Sequence, residues 1–146
     1  MNVRESFRFV EKCLYNYPAN LARIEVLKED LRVLRAYGDT RSPSIQLTFN
    51  FSNTYSDPVV AHVEKVQRLE AQIQRLERIT KPITKLMEDV KRMKGTNHLE
   101  QKEILEQFYF SGVPLSEVAD SLHRSKRTLS RRRKFLVYKI MEYLGL

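Results

Sequence analysis

Residues 124–139 hold Arg124, Lys126, Arg127, Arg131, Arg132, Arg133, Lys134 and Lys139, and no acidic residue. The groups on offer are guanidinium and ammonium. Their chemistry is hydrogen bonding and ion pairing to phosphate oxygens and to the acceptor edge of guanine, rather than proton transfer. Eight of the 26 Lys and Arg lie in this window, so 18 remain elsewhere against 18 Asp and Glu. The whole formal charge of +8 is therefore that of one short stretch. A diffuse excess would speak only of solubility, whereas a focused patch points to a polyanionic partner.

Other chemistries find little support. His62, His98 and His123 are far apart, Cys13 is near none of them, and no metal-ligand spacing occurs. The four glycines are scattered, so there is no phosphate-cradling loop. Acidic residues are mostly interleaved with basic ones, as on solvated helix faces, and Glu88-Asp89 has no companion histidine. The expectation is a non-enzyme with no catalytic residue, metal or cofactor. One cysteine forbids an intrachain disulfide, which fits a reducing compartment. No apolar run approaches a membrane span and the N-terminus has no signal-peptide core, so a cytoplasmic protein without membrane contact is expected.

The elements that must position the basic window read as a helix-turn-helix. Leu99, Ile104, Leu105, Phe108 and Tyr109 mark a helix ending near Ser111-Gly112. Pro114 opens a short helix with Leu115, Val118, Ala119 and Leu122 on its apolar side. His123-Arg124 is a tight turn, and Ser125 caps a helix running to about Leu144. The small Ala119 suits a close helix crossing, and Val118, Leu122 and Leu129 tie both helices to a core. At 100° per residue, Leu136, Ile140 and Tyr143 fall on the side of Leu129. Arg127, Arg131, Lys134 and Tyr138 fall opposite, with Ser130 flanking. A core-facing stripe backed by a basic stripe is what a helix lying in a DNA major groove requires. Arg127, Ser130, Arg131 and Lys134 are expected to read or line the groove, and Arg124, Lys126, Thr128 and Arg133 to hold phosphates.

The run Tyr109-Phe110-Ser111-Gly112-Val113-Pro114-Leu115-Ser116-Glu117-Val118-Ala119, followed by Leu122, Ser125, Thr128, Leu129, Ser130 and Arg131, resembles region 4 of sigma-70-type factors. The match covers about the last third of the chain. The larger arrangement, with an Asp-Pro-led long helix before a sigma-like C-terminal part, resembles the RinA and ArpU families of phage transcriptional regulators. That resemblance implies transcription control, with late viral genes as the targets. One position departs from the pattern: three residues after Leu129, where an apolar residue is usual, stands Arg132. Phe135 or Leu136 is expected to take over its packing.

Upstream, residues 3–17 read as a helix carrying Phe7, Val10 and Leu14, interrupted by Pro18. Leu21, Ile24, Leu27, Leu31 and Leu34 form a second apolar stripe, closed by Gly38. In residues 45–51, Ile45, Leu47, Phe49 and Phe51 alternate with polar residues: an extended arm packed on the helices, or a strand paired with its copy. Asp57-Pro58 starts a long amphipathic helix whose apolar positions run from Val59 to Met93, with Pro82 expected to kink or break it and Gly95-Thr96-Asn97 to end it. Two readings of its stripe stay open: a hairpin against the first helices, or the seam of a homodimer. The tyrosines and phenylalanines are core by default.

The expected protein is all-α, divided into a helical region with an extended arm (1–56), a long coiled-coil-like helix (57–95) and a helix-turn-helix domain (96–146). Its expected partner is double-stranded DNA, with the upstream helices serving dimerisation or contact with RNA polymerase. Two rivals are a phage small terminase subunit, which would assemble into rings, and a sigma-like polymerase-binding module that touches no DNA.

Overall fold

The computed structural model describes residues 2–38 and 58–146, and every regular element among them is a helix. These are α1 (Val3–Tyr15), α2 (Tyr17–Gly38), α3 (Pro58–Arg92), α4 (Thr96–Glu103), a π-helical stretch (Ile104–Phe110), α5 (Leu115–Ser121) and α6 (Lys126–Leu144). The alternating stretch 45–51 and Asp57 lie outside the described residues, so neither reading of the arm is decided.

The helices assemble into two compact units, one of Met1–Asn20 with Arg78–Leu146 and the other of Leu21–Glu77. This division cuts across the three consecutive segments expected from the sequence, because both α2 and α3 contribute to each unit.

In the smaller unit, Leu27 and Leu31 of α2 bury against Ile73 of α3, with Val66, Leu69 and Leu76 packed around them. Lys28 pairs with Glu77 at 3.2 Å, and seven residues on, Arg35 pairs with Glu70, seven residues back. The two segments therefore run antiparallel, and this half of the long stripe is met by an intrachain hairpin. Both ion pairs are solvated, so burial of the apolar seam does most of the holding.

The larger unit contains the main core. Val10 and Leu14 of α1, Ile83 and Leu86 of α3, Ile104, Leu105 and Tyr109 of the π-helical stretch, and Leu129, Leu136 and Ile140 of α6 are all buried. Each such side chain contributes about 1.5–3 kcal/mol by leaving water. α1 is started by a capping box: Glu5 N–H donates to Asn2 Oδ1 at 2.8 Å, and Asn2 N–H donates to the Glu5 carboxylate at 3.2 Å. Tyr17 stacks on Phe110 with ring centroids 4.9 Å apart, and its hydroxyl shares a 2.6 Å hydrogen bond with Thr84.

Several local expectations are corrected. The first helix stops at Asn16 rather than at Pro18, which sits in the first turn of α2, where its missing N–H is not needed. α3 runs unbroken through Pro82. The proline removes the hydrogen bond that the Arg78 carbonyl would accept, but the buried Thr80, Ile83 and Leu86 around it hold the helix in place. Leu21 and Leu99 are exposed rather than core. Met93 lies beyond the end of α3 and is exposed. The helix expected near Leu99 to Tyr109 widens after Glu103 into the π-helical stretch, turning Ile104, Leu105 and Tyr109 inward together. Phe9, Tyr15, Tyr37 and Phe135 are exposed aromatics, against the default of burial, while Tyr138 is exposed on the basic side of the last helix, where its position in the sequence puts it.

Candidate nucleic-acid interface

The turn between α5 and α6 is closed by backbone hydrogen bonds. Arg124 N–H donates to the Ala119 carbonyl at 3.0 Å and His123 N–H to the Asp120 carbonyl at 3.2 Å. This is a Schellman ending of α5, and it puts His123 in the left-handed region at φ 56°. α6 then starts on Ser125, whose hydroxyl accepts from Thr128 N–H at 3.1 Å. The Ser125 and Thr128 hydroxyls also share a hydrogen bond at 2.8 Å, so Thr128 is engaged in the cap. Ala119 and Val118 are buried beneath the turn.

α6 has two faces. Leu129, Leu136, Val137, Ile140 and Met141 are buried. Leu136 is fully buried and Phe135 is 55 % exposed, so of the two residues expected to compensate for Arg132, Leu136 faces the core. Tyr143 is only partly buried; its hydroxyl donates to Asp89 at 3.2 Å, and Lys85 and Lys139 lie over its ring at 4.6 and 5.8 Å. Arg127, Arg131, Lys134 and Tyr138 line the opposite, exposed side, with Lys126 exposed in the first turn and Ser130 half-buried.

The basic window divides by partner. Glu100 of α4 is 2 % exposed and lies between two arginines. Arg124 Nε donates to its Oε1 at 2.6 Å, and Arg132 forms an ion pair with its other oxygen. Arg133 lies 3.6 Å from Glu11 Oε1 and its guanidinium stands over the Phe108 ring at 5.8 Å. Glu11 also accepts from the Tyr109 hydroxyl at 3.0 Å, and burial holds that phenol in its neutral form well above the usual range. Arg124, Arg132 and Arg133 thus carry part of the fold. By contrast, Lys126, Arg127, Arg131 and Lys134 have no carboxylate within ion-pair distance among the described residues. Of the residues expected to hold phosphates, Arg124 and Arg133 are therefore committed to carboxylates, although nearly half of the Arg124 side chain remains in solvent.

Sequence reasoning missed Glu100, which has no local signal; only the packing of α4 on α6 reveals it. It also missed the groove in which Arg4, Phe7 and Arg8 of α1 face Lys134 and Tyr138 of α6. On the other flank, Asn97 and Gln101 of α4 line a groove with Thr128, Arg131, Arg132 and Phe135. Among the described residues, no cluster of His, Cys, Asp and Glu could hold a metal ion, and no helix is long and apolar enough to cross a membrane.

Comparison with protein-family models, with curated proteins and with solved structures finds no match to the chain.

Proposed function

We propose that this chain binds double-stranded DNA at specific sequences and regulates transcription, with α6 as the recognition helix. One observation carries the reading: behind a short helix and a tight turn, a capped helix buries one face and leaves Arg127, Arg131 and Lys134 exposed along the other, with no carboxylate within ion-pair distance among the described residues. Unpaired guanidinium groups in a row on a rigid helix are what guanine edges and phosphates recruit. The resemblance of residues 109–131 to sigma region 4 agrees with it, and the RinA- and ArpU-like order of elements suggests late phage genes as targets. In this reading the protein is not an enzyme, needs no cofactor and works in the cytoplasm of a bacterial host. Its upstream helices serve dimerisation or contact with RNA polymerase.

The reading is tested by fluorescence anisotropy on a duplex selected from source-genome fragments and on a scrambled one. With roughly six phosphates neutralised, log affinity falls with log salt at a slope of about −5. Arg131→Ala costs about 1–3 kcal/mol on the selected site and little on the scrambled one, because a base contact is lost. Affinity indifferent to salt would remove the electrostatic premise, and equal weakening on both duplexes would show that Arg131 does not read bases.

A further inference from the structure

The basic surface of the larger unit does not stop at the helix-turn-helix. α1 lies against α6, and the rings of Phe7 and Tyr138 meet in an edge-to-face arrangement with centroids 5.7 Å apart, fixing the two helices side by side. Arg4 and Arg8, one turn apart on α1, line the same groove as Lys134 and Tyr138. Both arginines are exposed, and neither has a carboxylate within ion-pair distance among the described residues. The two nearest acids on their own helix are occupied: Glu5 closes the capping box with Asn2, and Glu11 takes the Tyr109 hydroxyl and Arg133. Glu11 also lines this groove, but its carboxylate is taken by the Tyr109 hydroxyl and Arg133, so the groove presents three cations with no ion-pair partner among the described residues around an exposed aromatic ring, continuous with the face that carries Arg127 and Arg131.

We infer that Arg4 and Arg8 of α1 form a second phosphate-binding strip for the duplex, clamping the DNA backbone alongside the groove that α6 enters. This deepens the DNA-binding reading and rests on it. It assigns to the first turns of the chain a part in binding that nothing near them in sequence suggests. Base reading by these two residues is not part of the inference: backbone contacts hold register and add affinity without discriminating sequence. Exposed guanidinium groups held one helical turn apart suit successive phosphate oxygens.

The test uses the full chain and the two duplexes above, across a salt series. Arg4→Ala with Arg8→Ala should weaken binding to the selected and scrambled duplexes alike, roughly ten-fold or more near 0.15 M salt, and shallow the slope by about two units. Far-UV circular dichroism and thermal melting should match the parent, because both side chains are solvated. Lys91→Ala with Arg92→Ala removes the same charge from the last turn of α3 and should leave the slope nearly unchanged. If the α1 pair binds as the parent does, the second strip is overturned while the role of α6 stands. If the α3 pair does equal damage, the effect is one of net charge and the assignment to this groove falls. A parent chain that binds neither duplex overturns both readings together.

Discussion

Arg132 shows how one side chain can break a local pattern and be explained by a partner far away in sequence. Its position is one where a helix-turn-helix usually places an apolar residue, and here its guanidinium meets the buried Glu100 carboxylate, which Arg124 also holds. With 2 % exposure the Glu100 carboxylate has lost nearly all of its water, and the two guanidinium groups stand in its place. Arg132→Leu would restore the usual residue type but leave Glu100 half-compensated. It should destabilise the fold by about 1–3 kcal/mol, less than a fully buried pair would, because Arg132 is itself 27 % exposed. Adding Glu100→Leu should recover most of that loss, since an apolar pair can replace a buried ion pair at little cost. Denaturant midpoints of the two single variants and the double variant close the cycle; additive losses would show that the two residues are not coupled. The same pairing bears on function. A cation already committed to a carboxylate gives up part of its attraction for phosphate, so the free set Lys126, Arg127, Arg131 and Lys134 should dominate the salt slope.

At the scale of the element, the turn before α6 places a histidine where glycine is the usual choice. His123 at φ 56° is the one non-glycine residue in the left-handed region among the described residues. An L-residue there costs about 1–2 kcal/mol, and glycine returns part of the gain as extra freedom in the unfolded chain. His123→Gly should therefore raise stability by about 0.5–1 kcal/mol, and His123→Val, β-branched, should lower it by at least as much. Thermal melting of the two variants decides; a glycine variant that melts lower would mean that the imidazole makes contacts worth more than the strain. The cap at Ser125, the two faces of α6 and the short helix before them are legible in the sequence, because caps and periodicity are local. The widening of the chain at Ile104–Phe110, the continuity of α3 through Pro82 and the pairing of Glu100 are not. Each of these is decided by what packs against the segment, and no property of the segment itself announces it.

At the scale of the whole molecule, the long apolar stripe has two separate uses. Its middle, at Val66, Leu69, Ile73 and Leu76, seals the hairpin with α2, and its end, at Ile83, Leu86 and Val90, enters the main core. What remains outward lies at the start of α3, where Val59 and Val63 of the stripe are 47 % and 44 % exposed and Val60 beside them is 50 % exposed. A helix-turn-helix reads few base pairs alone, and a two-fold partner doubles both contacts and specificity. If the protein dimerises through its long helix, as proposed, this first stretch is the apolar surface available for the seam. Val60→Asp with Val63→Asp should then halve the solution mass while leaving helicity intact, since both side chains are already in contact with water. Ile73→Asp should act differently: at 7 % exposure it would bury a carboxylate in a seam of three buried and three partly buried apolar residues, opening the smaller unit and lowering helicity. The large core of the other unit should survive that change and continue to bind duplex DNA. Multi-angle light scattering with circular dichroism separates these outcomes. A parent chain that elutes as a monomer at tens of micromolar ends the dimer reading, and a mass near that of a ring would favour a packaging subunit over a regulator.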